Sequence, residues 1–242
     1  MVWEPRTYRQ IVDATGLVAS SVVVRETDLQ VLALRDLSDE ALCVVQTLRS
    51  ELDPYVAAYP RFAESYAPVR VTASAPELVQ AMARAGEVAG CGPMAAVAGA
   101  IAERVARRLE CHSAEVIVEN GGDIYLMGSV ARSVLLVAGD SPLSGRVAIA
   151  IDAGSLPLAV CTSSGKVGHS VSLGSAHAVT VIASDGALAD AVATVLGNRV
   201  HGPDDLEETL AWACGVPGVR GAVVIAGDTI GVRGDVRLEP VT

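Results

Sequence analysis

The stretch Glu115-Val116-Ile117-Val118-Glu119-Asn120-Gly121-Gly122-Asp123-Ile124-Tyr125-Leu126-Met127 decides the fold. Two apolar runs, 115–119 and 123–127, flank a short polar centre that contains Asn-Gly. A type I′ turn needs φ > 0 at both central positions, which Asn-Gly accepts readily. The segment predicts a β-hairpin, and with it antiparallel pairing. The plain reading of the turn is connective. The second glycine also lets a ligand approach the backbone, and Asp123 can accept hydrogen bonds from one.

Outward from the hairpin, helices and strands segregate. Residues 17–25 and 29–34 read as strands around Glu26-Thr27-Asp28. Ser38 is placed to cap a helix to about residue 58, ended by Pro60; 61–68 reads as loop and 69–73 as a short strand. Pro76 precedes a helix over 77–88, Gly90 and Gly92 stop it, and Pro93 opens another to residue 109. Strands follow at 133–137, 146–151, 158–162, 170–173 and 178–183, then a helix over 186–198. Asp204 caps a further helix to about Cys214, and strands at 219–226, 229–232 and 236–239 close the chain. This order predicts an α+β fold, with largely antiparallel sheets packed with helices. Ala73-Ser74 before Leu78, Ala81 and Ala83 echoes Ala183-Ser184 before Leu188, Ala191 and Ala193, which hints at an internal duplication.

The chain has 242 residues, 51% of them apolar, enough for one well-buried domain over 1–242. Its formal charge of −10 argues against nucleic acid or an anionic membrane as the main partner. Aromatics are 3%, and Phe62 is the single Phe, so base-stacking platforms are not expected. Cys43, Cys91, Cys111, Cys161 and Cys214 are far apart and form no Cys-x-x-Cys, which favours free thiols in a reducing cytoplasm. Residues 1–8 show no apolar signal core and no lipobox-like Cys. The apolar run 88–102 is interrupted by Gly90, Gly92 and Pro93 and reads as a buried helix, not a membrane span. The acidic charge does not exclude a local site for a small phosphorylated molecule, where backbone N–H groups and a metal can do the work, and a homo-oligomer is a further expectation.

Three further segments carry polar chemistry. Ala189-Asp190-Ala191-Val192-Ala193-Thr194 puts a carboxylate and a hydroxyl four residues apart, on one face of a helix. Leu188, Val192, Val195 and Leu196 lie on the other side, so Asp190 and Thr194 are expected to look into a cleft or solvent. Hard cations such as Mg2+ take such oxygen ligands and commonly share them with a phosphate. Residues 160–170 hold Thr162, Ser163, Ser164, Gly165, Lys166, Gly168, His169 and Ser170. Val167 stands where a P-loop has Ser or Thr, so this is a polar anion-binding loop or a plain surface loop. Cys91-Gly92-Pro93-Met94-Ala95-Ala96 opens an apolar helix whose free N–H groups suit a phosphate, though Gly-Pro is also ordinary helix punctuation.

Taken in order, the segments 95–103, 120–124, 162–165 and 189–194 resemble the ApbE-like superfamily, whose best-known members are FAD:protein FMN transferases. Gly-Pro-Met-Ala-Ala-Val-Ala-Gly at 92–99, Val-Glu-Asn-Gly-Gly-Asp-Ile-Tyr at 118–125 and Cys-Thr-Ser-Ser-Gly at 161–165 are similar to a cytoplasmic branch of it. The resemblance implies an ApbE-like fold that binds FAD or an FMN-like nucleotide beside Mg2+. Asp190 and Thr194 would be side-chain ligands of the metal, with the carbonyls of Ala193 and Ala95 nearby. Asn120, Gly121, Gly122, Asp123, Thr162, Ser163, Ser164 and Gly165 would hold the nucleotide, and His169 and Asp190 would be the catalytic residues. In that chemistry the metal neutralises the diphosphate and stabilises AMP as leaving group while a protein hydroxyl attacks phosphorus.

The chain departs from the transferase pattern at three places. Ala98 stands where the transferases have Lys, and Glu103 where they have Asp. Their His-Ile-x-Asp-Pro-x-Thr-Gly segment is replaced by 166–176, with His169 but no Asp-Pro. A non-catalytic ligand-binding or scaffold protein on the same fold is therefore the competing expectation. A hydrolase built on Ser163 or Ser164 with His169 is a third, without a Gly-x-Ser-x-Gly elbow to support it.

Overall fold

A computed structural model describes residues 13–163 and 175–241. The hairpin forms as β3 (Val116–Asn120) and β4 (Asp123–Met127), with Asn120 paired to Asp123. The two turn residues are Gly121 and Gly122, at φ 69° and 104°. The turn thus sits one residue later than Asn-Gly suggested. Two glycines take the positive φ values, and Asn120 is left to end its strand.

Around it an eight-stranded sheet runs β1-β2-β3-β4-β7-β8-β9-β10, every neighbour antiparallel. Its other strands are β1 (Val18–Val24), β2 (Thr27–Ala33), β7 (Leu158–Ser163), β8 (Ala178–Ala183), β9 (Val219–Ala226) and β10 (Thr229–Gly234). A second sheet has the order β11-β6-β5, from β5 (Arg132–Leu135), β6 (Val147–Ile151) and β11 (Arg237–Pro240).

Strand alternation splits the interior in two. Tyr125, Ala159, Cys161, Val179 and Val181 face a core shared with the helices. Ile124, Leu126, Leu158, Val160 and Ile182 face a second core shared with Val134, Ile149 and Ile151 of the small sheet. The result is three layers: helices, large sheet, small sheet.

The helices are α1 (Ser38–Ala58), α2 (Pro60–Glu64), α3 (Glu77–Ala89), α4 (Val97–Leu109), α5 (Gly186–Arg199) and α6 (Leu206–Gly215). The expected α+β architecture is present. Ser38 begins α1 instead of capping it, and Asp36 accepts its N–H at 2.8 Å. The expected loop at 61–68 contains α2, held because Phe62 is buried against Tyr55, ring centroids 5.3 Å apart. The expected strand at 69–73 does not form, and Val69 and Val71 pack on the helical core as irregular chain. Pro93 opens a short 3-10 turn, Pro93–Ala96, before α4, and Asp204 lies in another, Pro203–Asp205, before α6. The strand expected at 170–173 lies outside the described residues. Ala183 ends β8 whereas Ala73 belongs to no strand, so the two echoed segments differ in local structure.

The five cysteines are free. Among the described residues no single helix is long and apolar enough to cross a membrane. The apolar pair α3 and Pro93–Leu109 is bent by 105°, and its buried side chains lie in the helical core.

Candidate functional site

Helix α5 is buried on nearly every side: Gly186, Ala187, Leu188, Ala189, Ala191, Val192, Ala193, Leu196 and Gly197 are all interior. It can be so because it crosses α4 at two glycines. A Cβ on Gly99 would lie 2.2 Å from the Gly186 carbonyl oxygen, and one on Gly186 would lie 2.4 Å from that of Gly99. This contact corrects the expectation that Asp190 looks into an open cleft. Asp190 is half-buried and turned toward the start of α4, where its Oδ2 accepts the Gly99 N–H at 2.9 Å.

Glu103, on the next turn of α4, does the converse. Its Oε2 accepts the Gly186 N–H at the first residue of α5, at 2.7 Å. Its Oε1 accepts from Arg107 Nε at 2.7 Å, and Arg107 donates to the Tyr125 hydroxyl at 2.6 Å. Tyr125 in turn donates to the Ser184 carbonyl at 3.3 Å. The first helical turns leave N–H groups without intrahelical partners, and here one in each helix, that of Gly99 and that of Gly186, is met by a carboxylate from the other helix.

The hairpin tip completes this region. Asn120 Nδ2 donates to the Ala98 carbonyl at 3.1 Å, tying β3 to the start of α4. Glu119 Oε1 accepts the Gly122 N–H at 2.8 Å and fixes the turn. Asp123, 6% exposed, pairs across the sheet with Cys161. Asn120 and Asp190 therefore meet at Ala98 and Gly99, with Asp123 near enough for its charge to act with that of Asp190.

The electrostatics are those of an acid-rich interior. Burial pushes Asp190 up to about 7, against the opposing N–H groups of Gly99 and Ala98. Burial also holds Asp123 well above the usual carboxylate range, and the charges of Asp190 and Glu119 add to it. Hydrogen bonds from the Cys161 thiol and the Thr162 N–H act the other way. The Cys161 thiol is raised by burial and then by Asp123 and Asp190, so it is a poor nucleophile here. Burial lifts Cys91 to about 11, with Asp190 a lesser cause.

Thr194, half-buried, is one turn beyond Asp190 on α5, and Ala193 is interior. Ala95 is half-buried in the 3-10 turn, which packs against α5. Thr162 divides its roles. A Cβ on Gly122 would lie 3.5 Å from its carbonyl oxygen, which puts its backbone beside the hairpin tip. Its hydroxyl meets that of Thr180 at 2.9 Å, on the sheet face away from Asp123. Ser163 is half-buried at the end of β7. Ser164, Gly165 and His169 lie outside the described residues.

Residue-by-residue reading of the sequence missed the roles of Glu103 and Glu119. The available signal was the pair of small residues, Gly99 and Gly186, near acids on two Ala-rich helices. Among the described residues no group of three or more His, Cys, Asp and Glu is arranged to hold a metal ion.

The family model described as AbpE bacteria matches residues 9–215. A UPF0280 protein of Methanopyrus kandleri is 46% identical over 222 residues, 88% of this chain and 89% of that one. The chain's fold is similar to that of the flavin transferase ApbE from Vibrio cholerae, with TM-score 0.62 at 12% identity, covering 90% and 96% of the two chains. It is also similar to the Pseudomonas stutzeri flavinyl transferase ApbE in its apo form, with TM-score 0.55 at 17% identity, covering 90% and 94%.

Proposed function

The chain belongs to this ApbE-like family, and from that premise we propose that the acidic region between α4, α5 and the hairpin tip binds the diphosphate of a flavin-type nucleotide around Mg2+. The observation that carries the reading is the convergence of Asp123 and Asp190 from separate elements, both driven toward protonation by burial. A site that holds more negative charge than it can solvate is one where a divalent cation gains most.

The donor set fits a shared site. Asp190 has its second carboxylate oxygen to offer, with the Thr194 hydroxyl and the carbonyls of Ala193 and Ala95 as further candidates. Among the described residues too few acids converge for a cage made by the protein alone, so ligand phosphates and water would supply the other oxygens. When bound, Mg2+ would neutralise the diphosphate and stabilise AMP as a leaving group. Asn120 and the Gly121-Gly122 turn present a backbone that a nucleotide can approach closely, with the Thr162 backbone beside them; the roles of Ser164, Gly165 and His169 fall outside the described residues. The free thiols suit a reducing, cytoplasmic setting.

Incubation of the purified chain with FAD and MgCl2 tests the reading, with AMP followed by chromatography. The expected result is Mg2+-dependent AMP release that Asp190→Ala abolishes. No release from the parent chain removes the transferase reading.

A second reading is a non-catalytic flavin-nucleotide binder on the same fold. It is favoured by Ala98, which puts no cation beside the start of α4, and by the Gly99 N–H, which already occupies one Asp190 oxygen. It expects saturable FAD binding with little Mg2+ dependence and no AMP.

A further inference from the structure

A cavity of about 670 Å3 opens between the end of α1, α2 and the segment 68–70, and none of the acidic residues described above lines it. Ligand pockets of small molecules commonly span ~300–1,000 Å3. Its walls carry Tyr55, Tyr59, Phe62, Arg61 and Arg70. The chain has only five Tyr, two Trp and one Phe, so three of its few aromatic rings gather here. Tyr55 supports both neighbours: its ring centroid is 4.6 Å from that of Tyr59 and 5.3 Å from that of Phe62, the latter nearly perpendicular at 83°. Phe62 is buried as a floor, while Tyr59 is 57% exposed and offers a free ring face.

Positive charge borders the same cavity. In a chain of net charge −10, two exposed guanidinium groups border one cavity. Eight of the other described arginines are ion-paired, while Arg84, Arg108, Arg146, Arg199 and Arg233 form no ion pair among the described residues. Arg61 and Arg70 form no ion pair among the described residues. A planar guanidinium matches carboxylate and phosphate oxygens two at a time, and an aromatic face accepts a flat ring. The wall is also firmly seated. Just after α2, the Ser65 carbonyl oxygen lies where a Cβ on Gly92 would approach to 1.7 Å, so α2 is wedged against the turn that leads into α4. Such a preformed wall needs little ordering when a ligand arrives.

We propose that this cavity is a second binding site, separate from the acidic region, for a small planar aromatic anion whose ring lies against Tyr59 and whose phosphate or carboxylate meets Arg61 and Arg70. The acidic region takes its anion through a cation, whereas this cavity supplies positive charge directly and needs no metal.

Titration of the full chain with 1-naphthyl phosphate, without divalent cations, tests the site by calorimetry, with 1-naphthol and inorganic phosphate as the uncharged and ring-free controls. One saturable site is expected, at least ten times tighter for 1-naphthyl phosphate than for either control, and weakening with added salt. Arg61→Gln with Arg70→Gln should weaken it tenfold or more, as should Tyr59→Ala; these exposed side chains leave the melting curve as a check on folding. Asp190→Ala should bind as the parent does. Three outcomes would overturn the proposal. They are no saturable binding by the parent, undiminished binding by the folded arginine double variant, or loss of binding in folded Asp190→Ala, which would assign the ligand to the acidic region.

Discussion

Asp190 and Glu103 hold each other's helices. Asp190, on α5, accepts the Gly99 N–H in the first turn of α4, and Glu103, on α4, accepts the Gly186 N–H in the first turn of α5. The pair fixes both the crossing and the direction in which Asp190 points. Loss of a helix-capping acceptor costs ~0.5–2 kcal/mol. Glu103→Ala should therefore destabilise the chain by about that amount in urea unfolding. Glu103→Gln, which can still accept the Gly186 N–H, should lose less. Equal losses would mean that the ion pair with Arg107, not the cap, is what Glu103 contributes.

Stability should respond to the titration of Asp190 with a definite sign. Its folded carboxyl is raised from the ordinary 3.8 to about 7, so the folded chain holds this proton more tightly than the unfolded one. The stability it contributes is full below about pH 4 and is lost as pH rises through 7. Asp190→Asn keeps an acceptor for Gly99 but carries no charge. Its melting temperature should fall less than that of the parent between pH 4 and pH 8, so that the variant gains on the parent across that window. Parallel curves for the two proteins would refute the shift.

If Mg2+ uses Asp190, its binding competes with the same proton. Calorimetric titration with MgCl2 and a nucleotide diphosphate should show affinity rising from pH 6 to pH 8 and levelling above. A pH-independent affinity would place the cation elsewhere.

The glycine crossing admits no side chain. Gly99→Ala would put a methyl carbon 2.2 Å from a backbone oxygen, which cannot swing away as a side chain can. Helices α4 and α5 would have to separate, which takes Asp190 from its N–H partner. Overpacking of this kind costs ~1–3 kcal/mol. Circular dichroism melts should show the loss, and Gly154→Ala, where nothing lies within 4 Å of the added carbon, serves as the control.

What the sequence disclosed and what it hid follow from the range of the interactions. The hairpin was legible because its signal is local: apolar runs flanking residues that accept positive φ. Even there the turn moved by one residue, since Gly121-Gly122 is easier to bend than Asn120-Gly121 and Asn120 gains the Ala98 carbonyl. Helix α5 was legible in extent, 186–198 against Gly186–Arg199, but not in orientation. Periodicity assigns Asp190 to an open face because it lies opposite Leu188, Val192, Val195 and Leu196. The structure gives it a partner 91 residues earlier, and Glu103 its own 83 residues later. No window of local sequence carries that information. The face of Thr162 was hidden for a related reason: it depends on the register of β7 against β8, which pairs Thr162 with Thr180.

A buried ion pair closes the opposite end of the hairpin. Arg132 and Glu115 form a buried pair at 3.5 Å, with side chains 4% and 8% exposed. Arg132 also donates to the carbonyls of Asp13 and Thr15, at 3.2 and 3.0 Å, and Glu115 accepts the Ser129 N–H at 2.7 Å. The pair thus joins β3, β5 and the segment before β1. Removing one partner leaves a buried charge alone, at a cost of ~3–5 kcal/mol. Arg132→Met and Glu115→Gln should each destabilise strongly in urea unfolding. The double variant should cost clearly less than the two losses added together, because it buries no uncompensated charge. Additive losses would show that Arg132 acts through the Asp13 and Thr15 carbonyls alone.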